Sequence, residues 1–137
     1  MPVEDPLTLR DILAQARVIA VVGHSDKPHR TSYQIGRQLE RWGYVVYPVN
    51  PTVSRIDGER CYPSLAAVPE AVDIVNVFRR PEHLAGIVEE AIQIGAKTIW
   101  TQLGVIDEAA ARRAEEAGLT VVMDRCIKIE YQRLLLR

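Results

Sequence analysis

Residues 21–36 read VVGHSDKPHRTSYQIG. The stretch joins an apolar run to a helical pattern, and side chains suited to holding a phosphate crowd into it. A dinucleotide fingerprint, G-x-G-x-x-G, follows a strand and opens a helix. Here Gly23 stands first, where the tight turn needs it. Ser25 replaces the second glycine, and Gly36 comes only inside the helix, where it lets helix and sheet approach closely. The remaining chemistry still favours an anion. A helix mouth offers unpaired N–H groups and the positive end of its dipole. Ser25, Thr31 and Ser32 add hydroxyls, and Lys27 and Arg30 add charge. A guanidinium can grip a phosphate through two bonds. Pro28 stiffens the loop and lowers the entropy of ordering it. His24 and Asp26 complete it.

Three other run ends bear on the same ligand. YVVYPVNP closes with Asn50 and Pro51. A site for NAD carries a carboxylate there to hold the ribose hydroxyls. A neutral end disfavours NAD and admits a nucleotide with an extra ribose phosphate, which leaves NADP and coenzyme A. VFRRPEH places Phe78 where it can stack on a base, with Arg79 and Arg80 at a helix start. WTQLGV offers Gln102 and the turn through Gly104 to the far end of a ligand. Asn76, set between Val75 and Val77, needs a hydrogen-bond partner if it is buried.

Catalytic constellations are missing. His24, His29 and His83 have no carboxylate at an orienting spacing and no nucleophile beside them. No two of them stand at i, i+4 for a metal. Cys61 and Cys126 lack metal spacing and are too few for a disulfide framework, so both read as reduced thiols. Cys126 at a helix start reads as a packing residue, and Asp124 and Arg125 as fixing the chain end. The expectation is a binding module with no catalytic residue and no metal.

Elements must position these residues. The runs 17–23, 44–50, 73–78, 97–102 and 119–124 are short and β-branched, as strands covered on both faces are. Helical patterns fill 31–42, 82–94 and 108–117, with further helices at 8–16 and 127–135. Thr31 with Gln34 reads as a capping box. Thr8 and Asp107 read as N-caps. Pro81 suits a first turn, and Gly43, Gly95 and Gly118 suit helix ends. ERCYPS reads as a short edge strand and LAAVP as a stunted helix. Strand–helix alternation predicts one Rossmann-like domain over 1–137, a doubly wound parallel α/β sheet ordered 3-2-1-4-5-6, with 1–16 as an N-terminal helical extension. Its ligand crevice lies at the carboxyl ends of the strands. The 137 residues suit one core, and a net charge of −1 predicts no nucleic-acid footprint. No run reaches the ~18 apolar residues of a membrane span, and no signal peptide opens the chain, so a cytoplasmic protein is expected.

Five motifs in order, VVGHSDKPHRTSY, GYVVYPVNP, DIVNVFRRPE, WTQLGV and AGLTVVMDRC, give the chain its resemblance to a family. It resembles the stand-alone coenzyme A-binding domain proteins, which are similar to the N-terminal nucleotide-binding domain of the succinyl-CoA synthetase α subunit. The resemblance implies CoA or acyl-CoA lying across the strand ends. Gly23, His24, Ser25 and the turn through Asp26, Lys27 and Pro28 to Arg30 would face its phosphates, with Thr31 and Ser32 at the helix mouth. Asn50 and Pro51 would line the nucleotide part, and Phe78 and Arg79 would flank the crevice. Thr101, Gln102, Leu103 and Gly104 match the stretch that meets the coenzyme in the synthetase. The synthetase loop is richer in glycine, and its CoA-binding lysine has only Arg55 as a loose counterpart. Its phosphohistidine lies in a second domain, for which this chain is too short. The reading is therefore non-catalytic CoA binding, with a synthetase subunit or a second copy as partner. The alternatives are an NADP-binding domain of an oxidoreductase and an adaptor subunit with a vestigial crevice.

Overall fold

The computed structural model describes residues 1–136. The chain runs α1 (Pro6–Gln15), β1 (Val18–Val22), α2 (Thr31–Arg41), β2 (Val45–Val49), β3 (Arg55–Ile56), β4 (Glu59–Arg60), β5 (Ile74–Val77), α3 (Leu84–Gln93), β6 (Thr98–Thr101), α4 (Glu108–Glu116), β7 (Thr120–Val122) and α5 (Ile127–Leu135). Five strands form a parallel sheet in the order β2-β1-β5-β6-β7, and β3 and β4 form a separate two-stranded ribbon. Every residue of β1, β5 and β6 is buried, which is why β1 is apolar without alternation and only Asn76, Thr98 and Thr101 are polar in the other two.

Alternate residues of each strand feed two cores. Val18, Ala20, Val22, Val75, Val77, Ile99 and Val121 face α3 and α4. Ile19, Val21, Ile74, Trp100 and Val122 face α1, α2 and α5. The N-terminal helix is part of the second layer rather than an appendage, because Leu9 and Leu13 are fully buried in it. The result is a three-layer α/β/α sandwich, the Rossmann-like arrangement that strand–helix alternation implies.

The strand order departs from 3-2-1-4-5-6 at one edge. ERCYPS supplies no sixth strand. Tyr62 makes a single parallel bridge to Val49, its N–H bonding Pro48 O and its carbonyl accepting from Asn50 N. Pro48 presents its ring nitrogen to that same edge, so no donor exists to extend the pairing upstream. Glu59 and Arg60 instead turn back on Arg55 and Ile56. The turn is Asp57-Gly58, both at positive φ (49° and 81°), the two-residue hairpin geometry that Asp-Gly favours.

The helix ends also hold corrections. α1 starts two residues earlier than Thr8: Asp5 is its cap, accepting from Thr8 N at 2.9 Å, with Pro6 in the first turn. The capping box at Thr31 does not form. Arg30 is the N-cap residue of α2 without a side-chain cap, and Gln34 Nε2 donates to Pro28 O instead (3.2 Å). Asp107 does cap α4, at 3.1 Å from Ala110 N. Gly43, Gly95 and Gly118 end their helices at positive φ. Asn76 is fully buried, and neither side-chain atom has a partner among the described residues. The expected partner is not there.

Candidate functional site

The loop after β1 begins with a forced turn. Gly23 N donates to Val49 O (2.8 Å), and its φ is +88°. A Cβ there would stand 3.0 Å from Arg79 Cδ and 3.2 Å from the Phe78 carbonyl carbon and oxygen. The main chain just after β5 therefore passes against the first turn, and the Arg79 stem lies over it.

Beyond the turn the loop is tied by its serines. Ser25 N donates to Ser32 Oγ (3.0 Å), and Lys27 N donates to Ser25 Oγ (3.0 Å). Each hydroxyl accepts in these bonds and retains its own proton for another acceptor. Arg30 N closes a turn on Lys27 O at 3.0 Å. Asn50 holds the other wall. Its Nδ2 donates to His24 O (3.1 Å), and its Oδ1 accepts from Thr52 N (3.0 Å) and Thr52 Oγ1 (2.8 Å).

These ties open a crevice of about 500 Å³ at the carboxyl ends of β1, β2 and β5. Gly23, Ser25, Asp26, Lys27, Arg30, Thr31, Ser32, Asn50 and Phe78 line it. The first N–H groups of α2 have no intrahelical partner and no side-chain cap, and the helix begins in the crevice wall. Lys27 and Arg30 set two positive charges against Asp26. Among the described residues, neither cation is engaged in an ion pair. The arrangement can hold a phosphorylated nucleotide, with the phosphates at the helix mouth and a planar group against Phe78.

Other candidates lie elsewhere. Pro28 is exposed outside the crevice lining, and Pro51 lines an adjacent groove with Arg55 and Cys61. Thr101 is buried and structural: its Oγ1 donates to Val105 O (2.6 Å) and accepts from Asp124 N (2.9 Å). Gln102 Oε1 accepts from Ile127 N (3.0 Å), which seats the first turn of α5. Leu103 and Gly104 are exposed on the loop after β6, with Gly104 N held by Asp124 Oδ1 (2.7 Å). Arg125 pairs with Glu130 at 3.3 Å and so fixes the chain end, whereas the Asp124 carboxylate holds the loop after β6 instead. Both thiols are free, and burial pushes the Cys61 thiol up. Three further residues line the crevice, His29, Thr52 and Val53. Asn-Pro-Thr after a strand is an Asx-turn signal and marks Thr52; nothing local marks Val53.

His24 is the residue placed least as expected. Its side chain turns away from the crevice and is 2 % exposed. Nδ1 lies 2.9 Å from Ser25 O, so it carries the proton, because a carbonyl only accepts. The ring fills the space beside Gly36, where a Cβ would stand 2.2 Å from Nε2. Gly36 thus admits an imidazole as well as bringing helix to sheet. Burial holds the His24 pKa below the usual histidine value; the Ser25 carbonyl opposes this, Arg37 adds to it and Asp57 opposes it. The unfolded chain therefore takes up this proton first. Stability is expected to fall as pH drops below about 6.5, down towards the folded-state pKa. Urea unfolding of wild type and His24→Asn at several pH values checks this: wild type shows the additional loss, and equal slopes refute it.

A parallel sheet with helices on both faces and an uncapped helix mouth at the strand-end crevice defines a Rossmann-like nucleotide-binding domain. Over residues 17–132 the chain matches the family described as CoA binding domain, and it belongs to that family. It is 42 % identical over 123 residues to the uncharacterized protein YneT of Bacillus subtilis, covering 90 % of this chain and 91 % of that one. It is similar to a solved Pyrococcus horikoshii protein, with a TM-score of 0.94, 38 % identity and coverage of 98 % and 96 %. It is also 27 % identical over 121 residues to the ADP-forming acetate–CoA ligase I of Archaeoglobus fulgidus, covering 81 % of this chain but only 18 % of the ligase. Among the described residues, no group of histidine, cysteine and carboxylate side chains is arranged to hold a metal ion, and no helix is long and apolar enough to cross a membrane.

Proposed function

We propose that the chain binds coenzyme A or an acyl-CoA non-covalently in this crevice, in the cytoplasm, and performs no turnover by itself. One observation carries the reading. The open mouth of α2, with Lys27 and Arg30 beside it, faces a crevice whose β2 edge ends in Asn50 rather than a carboxylate. That pairing suits an adenosine carrier with an extra phosphate. Membership of the CoA-binding family supports CoA over NADP in the same reading. The pyrophosphate rests on the turn from Ser25 to Arg30, and the adenine end lies towards Asn50 and Phe78. The thiol arm runs to the loop of Leu103 and Gly104, whose exposed apolar side chains Leu103 and Ile106 suit an acyl group. In this reading chemistry on the thioester falls to a partner subunit; the chain matches 18 % of the length of the ADP-forming ligase it resembles.

Thermal unfolding with CoA, acetyl-CoA, NADP and NAD side by side tests the reading. A ligand at a hundred times its dissociation constant stabilises by ~2.7 kcal/mol, roughly a 10 °C shift for a domain of this size. CoA or acetyl-CoA is expected to produce it. Arg30→Ala and Arg79→Ala are each expected to weaken the ligand by about tenfold, the effect of ~1.4 kcal/mol from one charged phosphate bond. A shift with NADP or NAD and none with either CoA form overturns the assignment.

A further inference from the structure

We propose that His24 is the positioning residue of the crevice: its neutral ring, seated in the notch that Gly36 leaves in α2, holds the Ser25 main chain at the helix mouth and so sets the affinity for phosphate. The inference rests on reading the crevice as a phosphate site.

Three observations converge on the ring. His24 is 2 % exposed although it belongs to a polar loop. Gly36 is the position in α2 where a side chain would collide with it, at 2.2 Å from Nε2 and 2.7 Å from Cδ2. Its Nδ1 donates to Ser25 O, and the Ser25 N–H in turn donates to Ser32 Oγ, so both polar main-chain groups of Ser25 are held. The His24 carbonyl is tied to Asn50 Nδ2. Ser25 Oγ then fixes Lys27 N. A displacement of the ring is therefore transmitted to Ser25 and Lys27, which line the crevice, although His24 itself does not.

The surroundings favour an uncharged ring. Tyr33 meets it edge-on at 6.1 Å, and Arg37 and Glu40 reach it from the same helix. Val46 and Pro48 of β2, and Ile56 and Glu59 of the hairpin, line the same small void as the ring. Arg37 repels a positive ring and Asp57 attracts it, but Arg37 is engaged with Asp57 (2.8 Å) and Glu40 (2.6 Å). The void between these groups is about 10 Å³, at the lower limit for one water. Nε2 makes no hydrogen bond among the described residues, so a second proton there meets no acceptor in the folded loop. The hairpin, docked on α2 through Asp57 to Tyr33 and Arg37, keeps that space shut.

The test is CoA titration calorimetry on four proteins between about pH 5.5 and 7.5, the range in which imidazole titrates. Gly36→Ala is expected to weaken CoA at least tenfold. His24→Ala with Gly36→Ala gives the new methyl the vacated space, so the thermal stability lost in Gly36→Ala returns while the affinity does not. His24→Asn places an amide N–H near Nδ1 and is expected to bind within threefold of wild type at the upper pH. The CoA phosphates titrate in the same range, so the difference between the wild-type and His24→Asn profiles reads His24. Wild type is expected to lose additional affinity as pH falls. Superimposable profiles, or wild-type affinity in Gly36→Ala or in the double variant, overturn the proposal. If wild type binds no CoA at any pH, the phosphate reading fails, and amide exchange decides the role of His24 in placing the loop. Faster exchange at Ser25 and Lys27 in the double variant upholds that role, and unchanged exchange refutes it.

Discussion

Gly23→Ala is expected to lose CoA by at least tenfold while the sheet stays folded. The residue sits at φ +88°, where an L side chain is strained by roughly 1–2 kcal/mol. The collision adds to that strain. The nearest groups are the Arg79 stem at 3.0 Å and the Phe78 carbonyl at 3.2 Å. The Phe78 main chain is held in place, since its N–H bonds Val22 O at 2.9 Å. The movement therefore falls on the other side, on the turn itself and on the Arg79 side chain. Both bear on the crevice: the turn leads into Ser25, and the Arg79 stem lies over Gly23, which lines it. An affinity loss of tenfold corresponds to only ~1.4 kcal/mol, less than the combined strain. Calorimetry with CoA and urea unfolding on the same variant separate the two effects. Wild-type affinity with reduced stability would mean that the turn supports the sheet and touches no ligand.

Trp100→Ala is expected to destabilise the protein by about 3–5 kcal/mol, against the ~5–15 kcal/mol by which domains of this kind are stable. Trp100 is fully buried in the middle of β6, between Asn76 and Val122, and faces the core formed with α1, α2 and α5. Its Nε1 donates to Arg125 O at 2.9 Å, just before α5 begins. Truncation removes the largest buried side chain of that core and leaves the Arg125 carbonyl without its donor. Trp100→Phe keeps most of the volume and loses only the hydrogen bond, so its cost is expected near ~1–2 kcal/mol. Urea unfolding reads both. A loss under ~1.5 kcal/mol in the alanine variant would show that the core collapses around the gap.

Much of this fold is legible along the chain because the governing interactions are local. The five branched runs sit within a residue or two of the observed strands, and the helices at 31–42, 108–117 and 127–135 match α2, α4 and α5 to within one residue. Asp107 reads as a cap because a carboxylate before an alanine-rich turn has one obvious use. The hairpin around Asp57-Gly58 carries a clear Asp-Gly signal. It escapes notice because its strands are two residues long, too short to show a period. The missing edge strand escapes for another reason: the donor that would pair it is absent at Pro48, a residue of the neighbouring strand.

The candidate site divides along the same line. From its own letters the chain determines that a strand ends at Gly23, that a polar loop with Lys27 and Arg30 follows, and that the next strand ends without an acid. It leaves open which loop residues face out. A loop has no repeat from which a side chain's direction can be read; packing against residues distant in sequence decides it. Only the folded sheet brings Gly36 over His24 and Asn50 onto the His24 carbonyl, turning a candidate ligand-lining histidine into a buried wedge. Only the fold turns Thr101 and Gln102 inward to hold Asp124 and α5. Strand and helix rhythm follows from backbone sterics between neighbours, whereas the division between cavity wall and core is made by contacts across the three layers.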